Sequence, residues 1–193
     1  MKLIKKALEV ARTEGIKELF LKVLKYMRLK IDVPILRRLY IHKFHKIYYY
    51  SRVWGKTSWL GVPVLKCPFD LWGYQEMIVD TKPDFIIETG TAYGGAALFF
   101  ASIFDLVGNG KVITIDIEKN NEISHPRIIQ IIGNSVSSEV IGKVLEIVNG
   151  GKTMVVLDSD HRKEHVLREL ELYSKFVSRG CYLVVEDTNV NGH

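Results

Sequence analysis

Cysteine is scarce in this chain: two in 193 residues, Cys67 and Cys181. They lie far apart, and neither has the spacing of a metal-ligand or redox motif. That excludes a disulfide framework and makes a reducing, cytoplasmic setting the expectation. Cys181 sits in an apolar run and reads as a small core residue. No stretch approaches the ~20 apolar residues needed to span a bilayer. The longest uncharged run, Thr89 to Phe104, is interrupted by Gly90, Gly94 and Gly95. The N-terminus carries lysines but lacks a compact apolar stretch with a cleavage site, so no secretory signal is expected. Internal repeats and low-complexity segments are also missing. Acidic residues are few at the start: residues 1–50 hold thirteen Lys/Arg against four Asp/Glu. The remainder must then be net negative to reach the overall +5. The basic balance thus describes an N-terminal arm and not the whole protein, and no nucleic-acid partner is read from it.

What is present is an ordinary globular composition, 47% apolar and 25% charged. Its length suits one domain with an extension. Residues 2–29 have helical periodicity: Leu8, Ala11, Leu19, Val23 and Met27 share a stripe with Ile16, Phe20 and Leu24, and basic residues fill the other face. Asp32-Val33-Pro34 predicts a break, because the residue before a proline avoids the helical region. A basic and aromatic stretch follows, ending at Tyr48-Tyr49-Tyr50. Between 51 and 83, aromatic residues alternate with Gly and Pro, which reads as loop leading into a short helix, Leu71 to Asp80.

From Asp84 the pattern becomes regular. Strands are expected at Asp84–Glu88, Lys111–Asp116, Ile128–Ile132, Thr153–Leu157 and Cys181–Val185. Helices are expected at Gly94–Val107, Ser137–Val148 and Arg162–Phe176. Short wholly apolar strands alternating with helices predict an α/β fold with a doubly wound, mostly parallel sheet. The expected division is a basic helical extension, 1–50, and an α/β domain, 51–193. The chain stops at Asn191-Gly192-His193, just after the fifth strand, whereas such a sheet normally continues. C-terminal strands are therefore expected to be missing.

Ligands of open α/β sheets bind beyond the carboxyl ends of the strands. Here those ends are Glu88, Asp116, Gly133-Asn134-Ser135, Asp158 and Glu186-Asp187, nearly all polar or acidic. The first strand runs into Glu88-Thr89-Gly90-Thr91-Ala92-Tyr93-Gly94-Gly95. Its glycines permit a tight turn and close approach of a ligand, and the loop opens a helix whose free amides favour electronegative groups. As a dinucleotide motif, Gly90-x-Ala92-x-x-Gly95 is degraded. An acid ahead of the first glycine better suits a methyl-donor site, where Glu88 would help hold a cationic amino-acid end. Asp116 would accept hydrogen bonds from ribose hydroxyls, and Glu88, Gly90, Ala92, Gly94, Asp116, Asn134 and Ser135 form the expected donor-binding set. Asp158 with Glu186-Asp187 would gather carboxylates in one crevice, where they repel unless a cation joins them. Oxygen ligands suit Mg²⁺ or a similar hard cation. Asp158, Glu186 and Asp187 are the expected ligands and Asp160 the reserve, the alternative being that some of them cap the helix near Arg162. His161 is the candidate general base, and His165 a weaker one.

Several blocks together resemble the cephalosporin hydroxylase / rhamnosyl O-methyltransferase family. They are Trp59-Leu60-Gly61-Val62-Pro63, Lys66-Cys67-Pro68-Phe69-Asp70-Leu71-Trp72, Glu88-Thr89-Gly90, Leu157-Asp158-Ser159-Asp160-His161 and the run from Glu186 to His193. The resemblance covers about residues 54–193. It implies a Rossmann-like methyltransferase fold that binds S-adenosylmethionine (SAM) and Mg²⁺, with metal ligands mapping onto Asp158, Glu186 and Asp187. A lysine three residues after the metal aspartate in catechol-type O-methyltransferases is His161 here. The expected activity is metal-assisted O-methylation of a hydroxyl on a sugar or another small natural product. Two other readings stand beside it: an NAD-dependent oxidoreductase, and a non-catalytic surface-associated module. The arm's stripe would pack on the domain or a second subunit, or its basic face would attach the chain peripherally to an anionic membrane.

Overall fold

The structure is a computed structural model that describes residues 9–119 and 122–188, without the side chains of 29–35 and 38. The start of the expected first helix and the last residues of the Glu186–His193 block lie outside the described residues. Two compact units are present, Met1–Arg52 and Val53–His193.

The first unit is dominated by one 35-residue helix, α1 (Ile16–Tyr50), entered through Gly15 at φ 91°. The expected break at Asp32-Val33-Pro34 does not occur, since the backbone stays helical through Pro34. A proline costs a helix one hydrogen bond and some crowding. The flanking turns, rich in Leu, Lys and Arg, favour the helix strongly enough to carry it across. Ile16, Phe20, Val23, Leu24 and Met27 are all exposed, as are Ile41, Phe44 and Ile47 further along.

In the second unit, the segment expected to be loop contains a small hairpin, β1 (Ser58–Trp59) with β2 (Val62–Pro63). Leu60 and Gly61 turn it, both at positive φ, as a two-residue hairpin requires. Trp59 fastens the hairpin: its indole N–H donates to Ser102 Oγ at 3.0 Å and its ring packs edge-on to Phe99. Helix α2 (Pro68–Thr81) begins with a proline, which suits a first turn because its missing N–H has no partner there anyway.

The main sheet contains β3 (Phe85–Thr89), β4 (Lys111–Asp116), β5 (Ile128–Ile132), β6 (Thr153–Leu157) and β7 (Leu183–Val185) in the order β5-β4-β3-β6-β7. Every pairing in it is parallel. Helices α3 (Gly95–Val107), α4 (Ser138–Val148) and α5 (Lys163–Tyr173) connect the strands. The last expected helix tightens to a 3-10 turn at Ser174–Phe176, and the last strand starts two residues later than expected. Alternate side chains serve opposite faces, as a pleated strand dictates. Ile86, Val112, Met154 and Val156 pack with Tyr74, Phe100 and Phe104. Ile87, Ile113, Val155 and Leu157 pack with Val140, Val144 and Tyr173. The chain therefore has a doubly wound, Rossmann-like parallel sheet. Its order reverses between β3 and β6, the crevice where such sheets take ligands.

Candidate active site

The loop after β3 is shaped by its glycines. Gly90 has φ 88°, and a Cβ there would lie 2.0 Å from the carbonyl oxygen of Asp158. Both backbone conformation and space thus demand glycine. Gly94, at φ 83°, faces the Ile123 side chain. Ala92 takes positive φ without being glycine. Asp116 Oδ2 accepts the N–H groups of Thr91 and Ala92, each at 2.9 Å. The acid expected to meet a ribose is thus also the clamp that holds the loop against the β4 end. A half-open cleft beside the loop is lined by Pro63, Leu65, Lys66, Thr91, Tyr93 and Asp158, among others.

Glu88 is buried beneath this loop. Its Oε2 accepts from Thr114 Oγ1 at 2.7 Å, whereas its Oε1 has no hydrogen-bond partner among the described residues. Burial raises its carboxyl to about 8. Lys66 and the Thr114 hydroxyl act the other way without offsetting that. At the β5 end, Asn134 Oδ1 accepts from the Val136 N–H and shapes the turn into α4. Ser135 Oγ pairs with His165 Nε2 at 3.2 Å, and the Ser135 carbonyl accepts from the Tyr173 hydroxyl. His165 also lies 3.3 Å from buried Glu169, which accepts from Ser159. This network ties α5 to the strand ends and holds His165 apart from the acidic cluster.

Strands β6 and β7 are neighbours, so Asp158 and Glu186-Asp187 end side by side. Asp158, His161 and Asp187 present ligand atoms within 4.8 Å of one another. His161 Nε2 is 3.4 Å from Asp187 Oδ2. Donors at right angles on a divalent cation, each bound at ~2.0–2.6 Å, stand roughly 2.8–3.7 Å apart and opposite donors roughly 4–5 Å, so the carboxylates and imidazole here lie close enough to share such an ion. Glu186 is turned elsewhere: its Oε1 accepts from Lys66 Nζ at 3.0 Å and, more closely, from the Tyr74 hydroxyl. Asp160 is bound by its neighbour Arg162, through the backbone N–H at 2.9 Å and an ion pair that holds it down to about 2. The reserve ligand is therefore not part of the cluster.

Lys66 and Tyr74 were not legible as site residues. Lys66 is 5% exposed, and its Nζ lies 2.5 Å from Asp158 Oδ2. Burial by itself lowers a lysine, but Asp158, Glu186 and Glu88 more than offset this and hold Lys66 above its usual range. Asp158 shifts upward through burial, partly countered by Lys66. The available signal was a single charge inside the apolar run Val64-Leu65-Lys66-Cys67-Pro68.

The family model Rhamnosyl O-methyltransferase/CmcI matches residues 51–193. The chain belongs to this family. A rhamnosyl O-methyltransferase of Mycobacterium leprae is 38% identical over 157 residues, covering 78% of this chain and 69% of that protein. A Mycobacterium tuberculosis relative of the same name is 38% identical over 160 residues, covering 78% of this chain and 64% of its own length. The chain thus spans about two thirds of the curated relatives it matches. A CmcI structure with Mg and SAM superposes with TM-score 0.55 at 19% identity, over 69% of this chain and 58% of that one. That likeness supports the fold.

Proposed function

We propose that the Val53–His193 unit is the donor- and metal-binding part of a SAM-dependent, divalent-metal-assisted O-methyltransferase acting on a sugar hydroxyl. One observation carries the reading. The glycine loop and the acidic cluster meet directly, Gly90 lying against the backbone of Asp158. A group held by the loop would stand beside a cation held by the carboxylates. Family membership supports it, as do the rhamnosyl relatives and the CmcI structure with Mg and SAM. Hydride transfer to NAD would leave the acidic cluster without a role.

In this reading Glu88, Gly90, Ala92, Gly94, Asp116, Asn134 and Ser135 hold the donor, and Asp158 and Asp187 hold the metal, while Glu186, the third expected ligand, is engaged by Lys66 and Tyr74 beside them. When bound, SAM supplies the methyl group and the cation lowers the pKa of the acceptor hydroxyl. Glu88 Oε1, buried with no hydrogen-bond partner among the described residues, offers an acceptor to the donor's cationic end. Asp116 keeps the loop closed through the Thr91 and Ala92 amides. His161 takes the acceptor's proton. Most of the rate gain comes from holding donor and acceptor close and aligned. Residues 1–50 form a separate basic arm whose exposed apolar residues and lysines attach peripherally to an anionic membrane. Self-association through the same helix is the competing outcome.

The test is methyl transfer from SAM to rhamnosyl and other sugar acceptors, before and after chelation. Asp187→Asn should abolish metal-dependent transfer while leaving affinity for S-adenosylhomocysteine (SAH) nearly intact. His161→Ala should slow transfer by roughly 10²–10⁴-fold. Full activity in excess chelator would overturn the metal reading, and tight NAD binding without SAH binding would overturn the donor reading.

A further inference from the structure

We propose that Lys66 is a resident cation of the carboxylate site and sets, by competition, how tightly that site takes a divalent metal. The inference rests on the reading of Asp158 and Asp187 as metal-holding groups. It goes beyond that reading by assigning a role to a residue outside the ligand set.

The geometry is specific. Lys66 sits just ahead of α2, nearly sealed from solvent. Its ammonium contacts Asp158 Oδ2 at 2.5 Å and Glu186 Oε1 at 3.0 Å, at the ends of two adjacent strands. Tyr74, nearly two turns into α2, donates to the same Glu186 oxygen. Buried Glu88 also acts on the lysine from the β3 end. Two carboxylates from two adjacent strand ends thus converge on one ammonium.

A cluster of buried carboxylates without a cation is unfavourable. In the metal-free protein Lys66 supplies that cation and keeps Asp158 and Glu186 in place. A lysine ammonium has three donors and no lone pair, so it neutralises the carboxylates but cannot coordinate a metal. An incoming divalent ion must share Asp158 with it, and two cations a few ångströms apart in a buried site repel. Lys66 is therefore a positioning residue with two opposed effects. It assembles the site before metal arrives, and it weakens the metal's hold once there.

The experiment titrates Mn²⁺ into the full chain by electron paramagnetic resonance, which counts free ion, and records metal-free and metal-loaded melting temperatures. Lys66→Met removes the charge. Lys66→Gln removes the charge but keeps an N–H donor of similar reach. Both variants should bind Mn²⁺ about tenfold or more tightly than the parent, because a competing charge is gone. Both should melt at a lower temperature without metal, and Mn²⁺ should restore the difference. Should Lys66→Met fail to fold, Lys66→Gln carries the same comparison, and folding of either variant only with Mn²⁺ present supports the proposal. Unchanged or weaker Mn²⁺ binding in the folded variants overturns it while leaving the metal site itself standing. Failure of both variants to fold even with Mn²⁺ overturns it in favour of a purely structural lysine. Absence of Mn²⁺ binding in the parent and both variants overturns it together with the metal reading.

Discussion

At the scale of single residues, the site works through side chains that serve the fold and the chemistry at once. Asp116 is the plainest case, because the carboxylate proposed to meet a ribose already accepts two loop amides. Asp116→Ala should weaken SAH binding by roughly 1–3 kcal/mol, the scale of charge-assisted hydrogen bonds. Asp116→Asn, which keeps a carbonyl acceptor, should lose less, and calorimetry of the two variants would measure the difference. Glu88 gives a pH signature. Its carboxyl is raised from 4.5 to about 8 by burial, so between those values the folded chain keeps a proton that the unfolded chain releases. The stability this group contributes is complete below the unfolded value and is lost as pH rises through about 8. Glu88→Gln should flatten that part of the profile, as denaturant melts of the two proteins from pH 4 to 9 would show; equal slopes would contradict it. Asp158 and Glu186-Asp187 were legible as a group because each follows an apolar strand. Lys66 was not, since its partners are 92 and 120 residues away and only the sheet order brings them near.

At the scale of elements, legibility follows how local the deciding force is. Strands announce themselves as short apolar runs, and β4, β5 and β6 fall where those runs put them, the edge strand β5 included. The β1–β2 hairpin was hidden because each of its strands is two residues long, and what holds it is Trp59 against α3, a tertiary contact. Pro34 misled in the opposite direction: the local rule predicts a break, and the helix propensity of the surrounding turns prevails. The turn from β3 into α3 yields the sharpest prediction at this level. Gly90→Ala would set a methyl group 2.0 Å from a backbone oxygen at φ 88°. It should destabilise the protein by at least about 3 kcal/mol and abolish SAH binding, measured by chemical denaturation and calorimetry. For α1, the exposed Ile16, Phe20, Val23, Leu24 and Met27 beside Lys17, Lys22, Lys25 and Arg28 lead to a sedimentation test. The chain should pellet with anionic vesicles at low salt and be released at high salt. Equal recovery in the supernatant with neutral and anionic vesicles would contradict the attachment.

At the scale of the whole molecule, the basic arm and the parallel sheet are separate compact units, the boundary lying at Arg52–Val53. Residues 53–193 carry both core clusters and the acidic site. Expressed alone they should melt in one cooperative transition and bind SAH as the full chain does, whereas a broad, non-cooperative melt would mean that the arm completes the fold. Within that unit the switch point between β3 and β6 has a consequence for energetics. The Gly90 backbone and the Asp158 carbonyl share a seam with no room for a methyl group, so the glycine loop proposed to hold the donor cannot shift without moving the strand end that carries Asp158, the proposed metal carboxylate. Two ligands held on either side of such a seam form a linked system. Whatever factor SAH applies to the Mn²⁺ dissociation constant, Mn²⁺ must apply to that of SAH, as the thermodynamic cycle requires.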